Sequence, residues 1–225
     1  MDGIVLIDKP GGMSSFGVVK RVRWLLTQHA GRKVKVGHTG TLDPFATGLM
    51  ILVVGSYCQR AGEFSKLGKT YQATMRLGAS SSTGDPEGAL QAVSDRVPTA
   101  QEVAEAIGHF TGEITQTPPR YSAIKINGVR AYKLARAGQP VEVPARTVTV
   151  YRLELISYVY PEVVIECDVS SGTYIRTLVQ DIGGQLGTGA FTTQLRRTRV
   201  GEYGIDQAIP LDAIAQASDV VLRKV

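Results

Sequence analysis

Residues 37–48 read GHTGTLDPFATG, and residues 49–54 continue as LMILVV. The first twelve hold three glycines, three threonines, one His, one Asp and one Pro, with no hydrophobic period, so they read as a loop. The six that follow form an apolar run of strand length and read as a buried strand. Pro44 biases Asp43 toward extended backbone, and the flanking glycines let a second backbone or a ligand approach closely. By composition alone, Asp43 is equally an ordinary turn residue that bonds local backbone amides.

Working outward, residues 3–7 are a short apolar strand that ends in Asp-Lys-Pro-Gly-Gly. Ser14 or Ser15 caps a helix with Val18, Val19, Val22, Leu25 and Leu26 on one face and the basic residues 20, 21 and 23 off it. Residues 32–45 read as loop. Residues 70–77 (TYQATMRL) alternate as a half-buried strand, and residues 79–88 read as a Ser/Gly/Asp/Pro loop. Thr99 and Glu102 form a capping box that opens a helix to about His109. Asn127-Gly128, between Lys-Ile and Val-Arg, is a hairpin signal. Residues 143–157 and 163–169 are β-rich, residues 173–186 look helical, and a last helix is expected over 211–222. Strand pairs joined by short turns predict an α+β domain with a mostly antiparallel sheet. Residues 118–144, rich in Pro, Gly and basic side chains, read as an excursion from its body.

The chain has 225 residues, enough for one large domain spanning 1–225. With 43% hydrophobic and 20% charged residues it is not a disordered sequence. It has no apolar run of membrane-spanning length, and its first ten residues, with an acid and only a short apolar stretch, are not expected to act as a signal peptide. Two cysteines, Cys58 and Cys167, make no disulfide framework, and three histidines with no C-x-x-C or H-x-x-x-H give little ligand supply for zinc. A reducing cytoplasm is expected. Residues 17–38 hold six basic residues and no acid, and residues 118–153 hold seven basic residues and one acid. Two such runs favour a polyanionic partner, nucleic acid ahead of membrane.

Residues 62–70 (GEFSKLGKT) resemble a phosphate-binding P-loop, but five residues separate the glycines where four are needed, and strand-like sequence follows where a helix should. No G-x-S-x-G occurs, and no G-x-G-x-x-G follows a strand. A different resemblance is broader. GHTGTLDPFATGLM (37–50) is similar to the catalytic motif of the tRNA pseudouridine synthase B (TruB) family. DKPGGMSS (8–15), Lys69-Thr-Tyr71 with Arg76-Leu-Gly78, YSAIKING (121–128) with AYKLARAG (131–138), SGTYIRT (171–177) and Leu195-Arg-Arg197 resemble its other motifs. They run in family order from residue 3 to about 201.

The resemblance implies a pseudouridine-synthase fold: a mostly antiparallel mixed central sheet flanked by helices and loops, with an RNA-gripping insertion at about 118–147. It implies isomerisation of uridine-55 in the tRNA T loop to pseudouridine, without metal or organic cofactor. Asp43 matches the catalytic aspartate, as nucleophile at C1′ or as base for the 2′ proton; both roles stay open. Arg176 matches the arginine that pairs with it, and Tyr71 the tyrosine against the target uracil. Tyr174 and Leu195 match residues lining the uracil pocket, and His38 the residue that takes the place of the flipped nucleotide. Lys9 and Pro10 match a motif that supports the pocket from behind. Lys125, Arg130, Lys133 and Arg136 suit phosphate contacts in the insertion. Ser82 stands where many relatives are acidic, and Thr41 where alanine is common. The chain ends at Val225, before the small PUA-like RNA-binding domain of many relatives, which is expected to be absent. A monomer acting on the T arm of tRNA without membrane or obligate protein partner is expected. The rivals are the guide-dependent relative of RNA–protein particles, a tRNA-folding chaperone with dispensable catalysis, and a P-loop NTPase.

Overall fold

The computed structural model describes residues 1–122, 124–126, 128–140 and 142–225, with the side chains of Lys125 and Arg136 outside the description. In chain order the elements are β1 (Gly3–Lys9), α1 (Ser15–Ala30), β2 (Val36–His38), β3 (Thr47–Val54), α2 (Ala61–Ser65), β4 (Lys69–Leu77), β5 (Ala79–Ser81), β6 (Leu90–Ala92), α3 (Ala100–Gly108), β7 (Gly112–Gln116), β8 (Lys125–Ile126), β9 (Val129–Arg130), α4 (Ala131–Arg136), β10 (Arg146–Val159), β11 (Glu162–Val169), α5 (Ile175–Gln185), β12 (Ala190–Val200), β13 (Tyr203–Gly204) and β14 (Ile209–Pro210). They group into two compact units, Met1–Tyr71 with Arg196–Val225, and Gln72–Leu195. The chain crosses between them along β4 and β12.

In the first unit the strand order is β14-β1-β3-β12. β1 and β3 run antiparallel in unbroken register from Gly3↔Val54 to Lys9↔Gly48. β14 joins β1 in parallel, β12 joins β3 in parallel at Arg196 and Arg197, and β2 joins β3 antiparallel. Alternate residues of β1 and β3 point to opposite faces, and both faces are buried. Ile4, Leu6, Leu49, Ile51 and Val53 form one cluster with Phe64, Val200 and Tyr203. Val5, Ile7, Met50 and Leu52, of opposite parity, are just as buried. That explains an apolar run without alternation over residues 49–54. In α1, Ser14 is the N-cap and accepts from the Gly17 N–H, Gly31 closes the helix in the left-handed conformation, and the buried face is the one read from the sequence.

In the second unit the strand order is β12-β4-β11-β10-β7. β10 pairs antiparallel with both β11 and β7, and α3 packs on β10 and α5. Thr99 and Glu102 form the expected capping box on α3. β8 and β9 form the expected hairpin, with Lys125 opposite Arg130; Asn127 lies outside the described residues. A small core of Ala131 and Val143, with Ile124, Ile126, Leu134 and Ala135 against it, holds this excursion together.

Three expectations need correction. Residues 211–222 form two short 3-10 turns, Leu211–Ala213 and Ala217–Asp219, in place of a helix. The Asp219 carboxylate accepts from the Ala215 and Gln216 amides, a local bond that competes with helix, and Arg223 is drawn out to bridge Ile4. Residues 79–88 are not all loop, because β5 pairs with β6. Residues 32–45 likewise contain β2, a strand of three residues that carries no readable period. β7 had no sequence reading at all.

Candidate active site

In the first unit, Asp43 is half-buried in the loop between β2 and β3, and its two neighbours are fixed. The Ser15 hydroxyl, at the start of α1, accepts from the Leu42 N–H and donates to the Leu42 carbonyl, each at 2.8 Å. On the other side, the Pro44 carbonyl accepts from the Gly12 amide at 2.8 Å and from the Lys9 ammonium at 3.1 Å. Lys9 is wholly buried and also donates to the Pro10 and Met13 carbonyls, at 2.8 and 2.7 Å. One cation thereby ties the Asp-Lys-Pro-Gly-Gly-Met turn to the Asp43 loop. The half-buried Pro10 contributes the carbonyl beside that cation.

The loop's ends are held as firmly. Thr39 donates its amide and its hydroxyl to the Ile51 carbonyl. The buried Arg197 donates to the carbonyls of Gly40 and Leu49, at 3.2 and 2.7 Å. Gly48 sits at φ +105°, and a Cβ there would come within 2.3 Å of the Arg197 carbonyl oxygen. The close parallel approach of β12 to β3 thus requires glycine at this position. The Asp43 carbonyl accepts from Ala46, closing the turn. A carboxylate on a backbone pinned on both sides keeps its place with little reorganisation, which is what a positioned nucleophile or base needs.

His38 ends β2, half-buried and opposite Leu52 of β3. Tyr71 is buried on β4. Two residues before it, the buried Lys69 ammonium donates to the Ser65 carbonyl at 2.7 Å and to the Leu67 carbonyl. Burial, and secondarily the Arg197 charge, lowers its pKa to about 8. The P-loop reading fails on this geometry. Residues 62–70 run from the short helix α2 into strand β4, and Lys69 is committed to protein carbonyls.

In the second unit, Arg176 lies in the first turn of α5 and is buried. A cation there opposes the helix dipole. It is compensated by Asp85, whose Oδ2 is 3.0 Å from Nη1, and by the carbonyls of Thr83 (2.7 Å) and Tyr121 (3.0 Å). Asp85 is itself buried and accepts from the Thr83 hydroxyl at 2.5 Å and the Glu87 amide at 3.1 Å. Tyr174 is the N-cap residue of α5. Its backbone is gripped at both ends by the buried Gln116 side chain, which accepts from the Tyr174 amide at 3.0 Å and donates to its carbonyl at 3.3 Å. The Arg146 guanidinium lies over the Tyr174 ring, 5.1 Å from its centroid. Leu195 is buried on β12. In the excursion, Arg130 and Lys133 are exposed; the side chains of Lys125 and Arg136 lie outside the described residues.

The first unit therefore carries Lys9, Pro10, His38, Asp43 and Tyr71, and the second carries Tyr174, Arg176, Leu195 and the basic excursion. Sequence reading missed the supports: Ser15 on Leu42, Gln116 on Tyr174, and Asp85 as the buried partner of Arg176. Only Ser15 carried a signal, as a polar residue in line with the apolar stripe of α1; Gln116 and Asp85 lie in stretches with no apolar pattern to mark them as buried. Among the described residues, no helix is long and apolar enough to cross a membrane. No group of three or more His, Cys, Asp or Glu in them is placed to hold a metal ion.

Comparison with known proteins bears on the family and the fold. The model of the TruB family pseudouridylate synthase N-terminal domain matches residues 25–175, and that of the tRNA pseudouridylate synthase B C-terminal domain matches residues 176–224. The tRNA pseudouridine synthase B of Burkholderia mallei (strain NCTC 10247) is 44% identical over 218 residues, covering 97% of this chain and 70% of its own. That of Pseudomonas aeruginosa (strain UCBPP-PA14) is 44% identical over 214 residues, covering 95% and 69%. Among solved structures, a chain of the crystal structure of a Cbf5–Nop10–Gar1 complex superposes with a TM-score of 0.69 at 30% identity. It is matched over 93% of this chain, which spans about half (52%) of that longer one. The fold is that of a pseudouridine synthase, an α+β architecture with a mixed sheet flanked by helices. The chain belongs to the TruB family of pseudouridylate synthases.

Proposed function

We propose that the chain is a tRNA pseudouridine-55 synthase that acts alone on the T arm of tRNA, as a monomer in the cytoplasm, without metal, organic cofactor or protein partner. The N1–C1′ bond of the uridine breaks, the uracil turns over, C5 bonds to C1′, and the C5 proton is lost as N1 gains one. The product is an isomer of the substrate, so no co-reactant is consumed. The observation that carries this reading is Asp43 between two anchored neighbours, Leu42 and Pro44, in a chain 44% identical to tRNA pseudouridine synthases over nearly its whole length.

In this reading Asp43 is the catalytic carboxylate. Tyr71 offers an aromatic face to the extruded base, offsetting about 1–3 kcal/mol of the cost of unstacking it. Tyr174 and Leu195 line the base, Arg176 sustains the anionic state of the site, and His38 enters the RNA loop. Lys9 and Pro10 support the Asp43 loop, and Lys125, Arg130, Lys133 and Arg136 meet phosphates.

The similarity to a Cbf5 chain favours a second reading, in which the chain works only within an assembly. Against it stand the higher identity to the tRNA synthases (44% against 30%) and the larger share of those relatives that the chain spans (70% against 52%). One experiment separates the two. The pure chain is mixed with an unmodified tRNA transcript alone, and pseudouridine is mapped by mass spectrometry. Modification confined to the T-loop uridine supports the stand-alone reading; no modification until partner proteins and a guide RNA are added supports the other.

A further inference from the structure

Helix α1 buries one face, and its first residue, Ser15, grips Leu42 beside Asp43. Its opposite face carries Phe16, Lys20 and Trp24, each one turn after the last, with Arg23 alongside. Phe16 and Trp24 are 61% and 60% exposed, and Lys20 is exposed as well. The Arg23 guanidinium stands 5.8 Å from the centre of the Phe16 ring. Arg21, by contrast, is committed to the fold, donating to the Ile214 carbonyl at 2.8 Å. Past Gly31, the exposed Arg32, Lys33 and Lys35 extend the positive charge, and residues 17–38 contain no acid at all.

Two large aromatic rings left in water are informative in a way that a single exposed apolar residue is not. Here they alternate with cations and do not merge into a continuous apolar patch. Protein interfaces favour a fully desolvated apolar centre. Flat rings spaced between cations suit a polyanion that carries flat bases. From Phe16 to Trp24 the helix rises about 12 Å, the length of three to four nucleotides of one strand at about 3.4 Å each.

We propose that this outer face of α1 is a second RNA-docking track, which receives the backbone and accessible bases of the RNA outside the loop that holds the target uridine. Lys20 and Arg23 take phosphates; Phe16 and Trp24 stack on bases or sugars. The track rests on the reading of the chain as an RNA pseudouridine synthase, and it starts one residue from the Ser15 anchor of the Asp43 loop.

Trp24 is the chain's single tryptophan, so its fluorescence reports on this face. Full-length tRNA is titrated into the Asp43→Asn protein, and iodide quenching is measured with and without RNA. Affinity and its salt dependence are measured for wild type, for Phe16→Ala/Trp24→Ala and for Lys20→Ala/Arg23→Ala. Bound tRNA should shield Trp24 from iodide. The aromatic double variant should bind about tenfold more weakly. The basic double variant should lose about two from the slope of log K against log salt. Both should melt at the wild-type temperature and keep the wild-type turnover number at saturating tRNA. Unchanged iodide access at saturating tRNA, with wild-type affinity and salt slope in both variants, would overturn the track alone. Shielding of Trp24 that needs no RNA and grows with protein concentration would also overturn it, in favour of self-association. A wild-type chain that forms no pseudouridine in any RNA would take down the underlying reading, and the track with it.

Discussion

Ser15 and Leu42, 27 residues apart in the chain, are joined by two hydrogen bonds through a single hydroxyl, which accepts from the Leu42 amide and donates to the Leu42 carbonyl, each at 2.8 Å. A helix start is thereby bonded to the residue before Asp43. Ser15→Ala leaves a buried amide and carbonyl without this partner and should cost about 1–3 kcal/mol of stability. Because the carboxylate's own backbone loosens, turnover under saturating tRNA should fall about tenfold or more, with tRNA affinity little changed. Chemical denaturation and single-turnover kinetics check the two halves of this expectation.

How much of this was legible in the sequence depends on the kind of signal. The cap and apolar stripe of α1, the capping box of α3 and the unbroken run of β3 depend on local pattern, and they stand in the structure as read. The Asp43 loop stands out by its glycines and its one proline, Pro44, whose backbone effects are local too. The supports were not legible. Ser15 read only as an alternative to Ser14 for the helix cap, and the partner of its hydroxyl is 27 residues away. Gln116 lies on a five-residue strand with no reading, and its partner, Tyr174, is 58 residues away. The last expected helix failed because Asp219, an acceptable helix residue by pattern, bonds amides behind it and closes a short turn.

Asp85 and Arg176 form a buried ion pair, with side chains only 7% and 3% exposed. Losing the Asp85 carboxylate deprives the buried Arg176 guanidinium of a countercharge 3.0 Å away. Asp85→Ala should therefore destabilise the protein by about 3–5 kcal/mol, whereas Asp85→Asn, which can still accept from Arg176 and Thr83, should lose less. Equilibrium unfolding of both variants is the check; equal losses would show that the charge is unimportant there.

Lys69 gives the fold a pH dependence of known sign. Its ammonium titrates near 10.5 in the unfolded chain and at about 8 in the fold, where burial disfavours the charge. Between those values the unfolded state holds a proton that the native state has released, so this group adds stability as pH rises from 8 to 10.5. Below pH 8 both states are charged and the cost of burial is fully present. The stability of wild type relative to Lys69→Met should accordingly increase across that window, with a slope of at most one proton. A difference that stays flat from pH 8 to 10.5 would contradict the assignment.

The excursion packs on its own small core of Ala131 and Val143 with Ile124, Ile126 and Leu134. Tyr121, whose carbonyl accepts from Arg176, lies just before it. Replacing residues 123–143 by a short Gly/Ser linker should leave thermal unfolding close to wild type. At matched salt, tRNA affinity should fall about tenfold or more, and the salt slope should drop by about one for each phosphate that the excursion neutralises. Unchanged affinity would remove the excursion from the RNA interface.

The most direct test of the central claim uses a tRNA transcript tritiated at uridine C5, the purified chain and its Asp43→Asn variant, with no nucleotide or guide RNA. Wild type should release about one equivalent of tritium per tRNA, a release abolished by changing the T-loop uridine. Asp43→Asn should bind the same tRNA and release none. Substantial release by Asp43→Asn, or none by a wild-type chain that binds the tRNA, would contradict the account.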